Sequence, residues 1–263
     1  MDLGIKNKNV LITGGAGGMG EATARLLLDE GCRVTLTSLH EDGLREAAER
    51  LAQPDLVGYK AADLTKDADL ESLAEYVGDI DILVHTAGIT GAKGDPLEMT
   101  DADYVEAFET DFLSAVRVSR HFIPGMRERG WGRAVYVTSE NVAQPYTEEA
   151  VYNGAKASLL TFAKAIAQAY APDGVLVNTV APAFIHTPMT DKMMDKRAEE
   201  RGTSKEEAIE SFLEEERPHL VLDRRGRPEE VAAVIALLVS DRATFTVGAN
   251  YRVDGGSVQS ISL

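Results

Sequence analysis

The chain of 263 residues carries 27 Lys and Arg against 43 Asp and Glu, a formal net charge of −16 at pH 7. This charge disfavours nucleic acids and anionic membrane surfaces as partners, because like charges repel. The one cysteine, Cys32, allows no internal disulfide. The first residues lack the apolar stretch of a signal peptide, and the longest apolar run, residues 231–239, is too short to span a bilayer. We therefore expect a cytoplasmic protein without a nucleic-acid or membrane partner.

Short β-branched segments alternate with helical patterns along almost the whole chain. Strands that are separated by helices are joined by right-handed crossovers, which produce parallel pairing. The pattern therefore predicts an α/β fold with a mostly parallel sheet and helices on both faces. The seven predicted strands cover residues 9–13, 33–37, 56–61, 81–85, 133–137, 175–180 and 246–253.

One segment, residues 188–217, is highly charged and yet carries Met193 and Phe212. Ser204 and Glu207 have the spacing of a capping box, in which the two residues cap each other's backbone at the start of a helix. The charged side of such a helix is solvated, whereas its apolar side needs a surface to cover. The segment is therefore predicted to be a helical insertion that lies over the rest of the fold.

The segment TGGAGGMG, residues 13–20, places five glycines directly after the first predicted strand and at the start of a predicted helix. It fits both the G-x-G-x-x-G and the T-G-x-x-x-G-x-G spacing. Glycines let the backbone turn sharply and approach a ligand, and the helix N-terminus offers N–H groups to a pyrophosphate. No Walker motif is present, so the loop predicts a dinucleotide rather than a nucleoside triphosphate.

The residues after the second predicted strand leave the form of the dinucleotide open. Ser38 stands where an acidic residue that binds the adenosine ribose is expected, and its absence removes the main barrier to a 2′-phosphate. No arginine is adjacent, and His40 is the nearest candidate partner for that phosphate, while Glu41 and Asp42 would oppose it. The balance leans slightly toward NADP over NAD.

Tyr152 and Lys156 lie in the sequence YNGAK, with the i, i+4 spacing that places both on one face of a helix. Ser139 follows the predicted strand 133–137, at the edge where α/β sheets bind ligands and where the glycine loop would also lie. A lysine cation favours the phenolate, so Tyr152 can exchange a proton with a substrate oxygen that Ser139 holds.

Together these motifs resemble the short-chain dehydrogenase/reductase family, and in particular its 3-oxoacyl-reductase-like members. The resemblance implies one doubly wound Rossmann-type domain over residues 1–263, with residues 188–217 as a substrate lid. It also implies a homotetramer and an NAD(P)-dependent oxidoreductase that transfers a hydride between the cofactor and a small secondary alcohol or ketone. The resemblance rests on TGGAGGMG, Asp63 in AADLT, HTAG (85–88), Ser139, YNGAK, NTVAPAFIHTP (178–188), RPEEVA (227–232) and VDGG (253–256).

The resemblance also implies roles for individual residues. Tyr152 would be the acid/base, Ser139 the partner of the substrate carbonyl, and Lys156 a ligand of the nicotinamide ribose. The other implied cofactor-binding residues are Gly14, Gly17, Gly18, Met19, Gly20, Ser38, His40, Asp63, Leu64, Ala87, Gly88, Pro182, Ile185 and Thr187. The candidate substrate-binding residues are Asn141, Tyr146, Ala183, Met189, Met193 and Phe212.

The chain departs from the family pattern at four places. Asp111 stands where the family usually has an asparagine that supports the proton relay, which makes it a fourth candidate catalytic residue. Ala183 replaces a glycine near the nicotinamide, and the residue that selects the cofactor is missing around Ser38. HTAG (85–88) replaces the family's Asn-Asn-Ala-Gly, a change expected to affect strand packing alone.

Other function classes have less support. There is no G-x-S-x-G elbow for a hydrolase, and the five histidines lack metal-ligand spacing, so no metal site is expected. The main alternative is a non-enzymatic dinucleotide-binding sensor or scaffold. The intact Ser139, Tyr152 and Lys156 argue against that alternative, and Asp111 is the one residue that argues for it.

Overall fold

The computed structural model describes residues 2–261, in which a seven-stranded sheet is flanked by helices. The strands are β1 (Asn9–Thr13), β2 (Arg33–Ser38), β3 (Val57–Ala61), β4 (Ile82–His85), β5 (Gly132–Val137), β6 (Val175–Pro182) and β7 (Asn250–Val253). The helices are α1 (Gly18–Asp29), α2 (Glu41–Leu51), α3 (Asp67–Val77), α4 (Asp101–Ala107), α5 (Ser114–Glu128), α6 (Ala150–Tyr170), α7 (Pro188–Arg201), α8 (Lys205–Glu216) and α9 (Pro228–Leu238).

The strand order is β3-β2-β1-β4-β5-β6-β7, and every neighbouring pair is parallel. The chain changes direction across the sheet between β1 and β4, which leaves a crevice at the carboxyl ends of these strands. This arrangement confirms the predicted Rossmann-type fold.

Apolar side chains cover both faces of the sheet. Leu27 of α1 and Ile235 of α9 are fully buried on one face, together with α2. Leu70 of α3 and Leu159 of α6 are fully buried on the other, together with α5. The inner strands β4 and β5 are buried along their whole length, as parallel strands covered on both faces are expected to be, whereas the edge strands β3 and β7 are partly exposed.

The last strand is shorter than the sequence predicts. It begins at Asn250 rather than at residue 246, because Gly248 has a φ of 63°, which an extended strand cannot contain. Gly248 instead donates its N–H to the Val177 carbonyl at 2.8 Å, and Ala249 donates to Asn178 Oδ1 at 3.0 Å. The first four residues of the predicted strand therefore form a turn that is fastened to β6.

Residues 188–217 form the predicted pair of helices, α7 and α8. Both begin with a capping box, on Thr187 and Ser204 respectively. The apolar faces of the two helices form a small core together with Phe184, whose ring lies 4.6 Å from that of Phe212. An ion pair of 2.6 Å between Arg197 and Glu215 joins the two helices. No helix within residues 2–261 is long and apolar enough to cross a membrane.

Candidate active site

The glycine loop lies between β1 and α1 at the carboxyl edge of the sheet. Gly14 has a φ of 66°, and a Cβ there would lie 2.8 Å from the Ala87 nitrogen. A Cβ at Gly20 would lie 2.5 Å from the Gly14 carbonyl oxygen. Helix α1 begins at Gly18 with no side-chain cap from Gly17. Glycine is therefore required at positions 14 and 20 for steric reasons. The loop leaves the N-terminus of α1 open to a ligand, and such a helix N-terminus fits a dinucleotide pyrophosphate.

Two other strand ends meet this loop. Ala87 and Gly88 follow β4 beside Gly14, and the segment after β6 reaches the loop where a Cβ on Gly18 would lie 3.2 Å from Thr187 Cγ2. The structure thus brings together predicted cofactor residues from segments as far apart as 14 and 187. The residues that meet here are Gly14, Gly17, Gly18, Met19, Gly20, Ala87, Gly88, Pro182, Ile185 and Thr187.

The other predicted cofactor residues lie farther along the same edge. Ser38 ends β2, and the exposed His40 precedes the first turn of α2. The Asp63 carboxylate after β3 accepts hydrogen bonds from the Thr65 hydroxyl at 2.6 Å and the Thr65 N–H at 3.0 Å. These bonds, with the Thr65 hydroxyl foremost, lower the pKa of Asp63. The adjacent Leu64 is buried.

Ser139, Tyr152 and Lys156 meet where β5 ends and α6 begins. Lys156 is 4% exposed, donates to the Val137 carbonyl at 3.3 Å, and has its Nζ 5.6 Å from the centre of the Tyr152 ring. The Ser139 hydroxyl donates to Asn141 Oδ1 at 2.9 Å. Burial raises the pKa of Tyr152, the Asp111 charge raises it further, and a hydrogen bond with Ser139 opposes both.

Asp111 is buried under this group, on a π-helical turn formed by residues 108–113. Its Oδ1 lies 3.6 Å from Lys156 Nζ and accepts the Ile89 N–H at 2.8 Å. Burial raises the pKa of Asp111, and the Lys156 charge opposes that shift. Asp111 is thus paired with Lys156, whereas Arg117 pairs with Glu109 at 2.7 Å.

Gly88 makes the buried pair possible. A Cβ at this position would overlap Asp111 Oδ1 and lie 2.9 Å from Lys156 Nζ. Gly88, which is predicted to lie along the cofactor, therefore also has a packing role toward the candidate catalytic residues. His85, two residues before Ala87, lies at hydrogen-bonding distance (2.9 Å) from Thr13 Oγ1, so it holds β4 against β1.

A cavity of about 1270 Å³ opens over Ser139 and Tyr152. Helices α7 and α8 supply one wall, and the segment between β5 and α6 supplies the opposite one. All six candidate substrate residues line it, namely Asn141, Tyr146, Ala183, Met189, Met193 and Phe212. Met19 and Thr187 line the same cavity, so the cavity adjoins the glycine loop.

Comparison with known proteins identifies the family. A family model described as enoyl-(acyl carrier protein) reductase matches residues 14–258. The chain belongs to the short-chain dehydrogenase/reductase family. The uncharacterized oxidoreductase YvrD of Bacillus subtilis is 33% identical over 99% of this chain and 100% of that protein. The D-beta-hydroxybutyrate dehydrogenase of Cupriavidus necator is 29% identical over 97% of this chain and 99% of that protein.

Solved structures agree with this assignment. The L-sorbose reductase of Gluconobacter frateurii, complexed with NADPH and L-sorbose, superposes with a TM-score of 0.91 at 34% identity, over 99% of this chain and 100% of that chain. This short-chain dehydrogenase/reductase is therefore an NAD(P)-dependent oxidoreductase that acts on alcohol or ketone substrates. The predicted function class is confirmed, and the sensor or scaffold alternative is set aside.

Sequence reasoning missed the charged side chains on the cavity wall. Glu140, directly after Ser139, is 2% exposed, and the buried Glu149 accepts hydrogen bonds from Lys93 at 2.7 Å and Arg217 at 3.0 Å. Arg217 also lies 3.9 Å from Glu140. Glu149 and Arg217 are 68 residues apart, so no local spacing could have indicated their contact. No cluster suited to a metal ion occurs among the His, Cys, Asp and Glu residues that the structure describes.

The two wall carboxyls have opposite pKa shifts. Burial raises the pKa of Glu140 to about 7, although Arg217 and a hydrogen bond from Tyr146 lower it. Burial also acts to raise the pKa of Glu149, but Arg217, Lys93 and Asn141 outweigh it and bring the pKa to about 2. At neutral pH Glu149 is therefore ionised, while Glu140 is close to its midpoint.

We predict that Glu140 makes the protein less stable as the pH rises toward neutrality. Between the unfolded pKa of 4.5 and the folded value of about 7, the folded state binds the Glu140 proton more tightly. The stabilisation is fully present below this range and is lost as the pH rises through it. Relative to Glu140→Gln, the wild-type free energy of unfolding should fall by up to about 3 kcal/mol across the range.

Urea denaturation of both proteins at several pH values measures this difference. Contributions from Glu149 and the other carboxylates are shared by the two proteins and largely cancel in the comparison. The prediction is wrong if the difference in free energy of unfolding between the wild type and Glu140→Gln does not change with pH. It is also wrong if the wild type gains stability relative to Glu140→Gln as the pH rises.

Proposed function

We propose that this short-chain dehydrogenase/reductase interconverts a compact ketone and its secondary alcohol with NADP(H), using Ser139, Tyr152, Lys156 and Asp111. One observation carries the proposal: Ser139 and Tyr152 line the same cavity as Met19 and Thr187 at the glycine loop. A substrate oxygen at the hydroxyls would therefore lie beside the cofactor.

The cofactor supplies or accepts the hydride, and the side chains handle the proton. Tyr152 donates its proton to the carbonyl oxygen in reduction and takes it back in oxidation, while Ser139 holds that oxygen by a hydrogen bond. Burial and the Asp111 charge raise the pKa of Tyr152, so the phenol carries a proton to donate at neutral pH but is a weaker acid than an ordinary tyrosine. The Lys156 cation favours the phenolate that forms when the proton leaves.

Asp111 modulates this step through Lys156. As an acceptor at the family's asparagine position it retains the capacity to hold a relay water. Its negative charge lies 3.6 Å from Lys156 Nζ and neutralises part of the charge that would otherwise favour the phenolate. Asp111 therefore permits the reaction and shifts its pH dependence to more alkaline values.

We predict that Tyr152→Phe abolishes nearly all turnover and leaves NADPH binding intact. Loss of a general acid lowers the rate by about 10² to 10⁴, whereas the glycine loop is unchanged. Steady-state rates and fluorescence titration of NADPH measure the two effects. Tyr76→Phe, on a half-exposed tyrosine of α3, is the matched control. A Tyr152→Phe rate above about a tenth of wild type excludes Tyr152 as the proton donor.

For Asp111→Asn we expect kcat/KM for alcohol oxidation to reach its plateau at lower pH, by about one unit. The carboxylate is the second cause that raises the pKa of Tyr152, after burial, and an amide removes that charge. The control is Glu109→Gln, which removes a charge from the same π-helical turn but from a residue paired with Arg117. An unchanged or more alkaline profile in Asp111→Asn would refute this assignment.

NADP(H) is proposed on two grounds. The L-sorbose reductase structure contains NADPH. In this chain, the charge of Asp42 is matched by Arg45 at 2.8 Å, and the first turn of α2 lies close enough for Gly43 to approach Ala16 of the glycine loop. A 2′-phosphate beside Ser38 would therefore meet a helix N-terminus and less negative charge than the sequence alone indicates.

We predict that Ser38→Asp shifts preference toward NAD(H), because its carboxylate repels a 2′-phosphate and can accept from a ribose hydroxyl. Ser38→Asn, of the same size and without the charge, should shift preference much less. The ratio of kcat/KM for the two cofactors measures the effect in all three proteins. Equal ratios in wild type and Ser38→Asp would show that this position does not select the cofactor.

Helices α7 and α8 are proposed to act as the substrate lid of one domain spanning residues 1–263. Met189 and Met193 face the cavity from α7, and Phe212 does so from α8. These three apolar side chains would exclude water from the reacting atoms, as substrate lids do, while charged residues of the same helices line the rest of that wall. The cavity volume of about 1270 Å³ leaves room for a compact substrate.

We also propose a cytoplasmic homotetramer. Large apolar side chains are exposed near the β7 edge of the sheet, with Phe245 and Tyr251 at 103% and 39% exposure. Exposed apolar side chains beside an open strand edge are features that association covers. Light scattering in solution measures the mass, and a monomer of 28.4 kDa would contradict the tetramer.

A further inference from the structure

Two buried polar atoms on the cavity wall have no hydrogen-bond partner. They are Glu140 Oε2 and Gln144 Nε2, on the segment that directly follows Ser139, and both residues line the cavity. Glu140 Oε2 is an acceptor when the carboxyl is ionised. The Gln144 amide nitrogen, whose two N–H groups are donors, also faces the Tyr146 hydroxyl, whose pKa is raised by burial and lowered by this amide. Buried polar groups are almost always hydrogen-bonded. The two atoms therefore match a ligand group that can both donate and accept a hydrogen bond.

Other polar groups of the wall already have hydrogen-bond or ion-pair partners. Glu140 Oε1 accepts the Tyr146 hydroxyl at 3.1 Å. The Arg217 guanidinium lies between two carboxylates, 3.0 Å from Glu149 and 3.9 Å from Glu140, and stacks on the Tyr146 ring at 3.7 Å. Lys93 is bonded to Glu149 at 2.7 Å. The two cations of this wall, Lys93 and Arg217, are therefore already paired with carboxylates. The cations that also line the cavity from α7 lie across from this wall, namely Lys192, Lys196 and Arg197.

We propose that Glu140 and Gln144 form a subsite for a hydroxyl group of the substrate, close to the reacting carbonyl. The inference rests on the proposed function, because it takes the carbonyl to be held at Ser139, the residue adjacent to Glu140. A substrate hydroxyl donates to Glu140 Oε2 and accepts from Gln144 Nε2. The substrate class is then a neutral, polyhydroxylated ketone or the corresponding polyol.

Two other substrate classes match this wall poorly. The carboxylate of a short oxo acid can only accept hydrogen bonds, so it leaves Glu140 unpaired and adds a like charge beside it. An alkyl or acyl chain leaves both atoms unpaired, and a site built to bind a hydroxyl rejects an analogue that lacks it. Met193 and Phe212, on the wall formed by α7 and α8, would instead contact the carbon skeleton of the ketone.

The test compares three ketones with NADPH at pH 8, above the Glu140 pKa of about 7. They are a six-carbon ketose, 2-hexanone as the matched ketone without hydroxyls, and acetoacetate as the anion. We expect wild-type kcat/KM for the ketose to exceed both others by at least about tenfold. In Glu140→Gln the ratio of ketose to 2-hexanone should fall by about tenfold or more.

Gln144→Met provides a second variant at a partly exposed position and should lower the same ratio. Glu106→Gln, on an exposed glutamate of α4, is the control, and thermal unfolding verifies that every variant is folded. Comparable rates for ketose and 2-hexanone in the wild type, or an unchanged ratio in both wall variants, would overturn the subsite while leaving the proposed function standing. No NADPH-dependent turnover of any ketone would overturn the proposed function itself.

Discussion

The site depends on one buried charge, the ammonium group of Lys156. At 4% exposure it is removed from water, and its polar partners are the Val137 carbonyl and the Asp111 carboxylate. A buried charge is tolerated when it is paired and hydrogen-bonded. The end of β5, the π-helical turn and the first turns of α6 must therefore keep their relative positions, and they thereby position Tyr152.

This constraint extends to residues without functional groups. The Asp111–Lys156 pair occupies the space that a side chain on Gly88 would need. Gly14 must likewise remain bare because the backbone of Ala87 passes directly beside it. The bare glycines therefore let the glycine loop after β1 and the segment after β4 pass directly beside each other and beside the Asp111–Lys156 pair.

Much of the fold followed from periodicity, because apolar runs and helical spacing are local properties. All seven strands lie where the pattern places them, except that Gly248 delays the start of β7. The Tyr152–Lys156 contact was predictable because i, i+4 neighbours share a helix face. The wall of Glu140, Glu149 and Arg217 was not, since its contacts join segments that only the tertiary fold brings together.

The environment of Asp111 was also beyond local reasoning. Its sequence neighbours do not reveal that the helix widens at residues 108–113 and turns the carboxylate inward. Arg117 lies only six residues after Asp111 in the sequence, yet the structure pairs Arg117 with Glu109. The tertiary fold, rather than the spacing in the sequence, therefore decides whether Asp111 pairs with Lys156 or with Arg117.

Arg217 gives the cavity a thermodynamic coupling between movement and protons. It follows the end of α8 and lowers the pKa of both Glu140 and Glu149. A displacement of α8 that carries Arg217 away and admits water relaxes both pKa values toward their ordinary range, so that Glu140 releases a proton near pH 7 and Glu149 gains one only in acid. Near neutral pH, movement of this one arginine is therefore linked to proton release from Glu140, and alkaline conditions favour the displaced form.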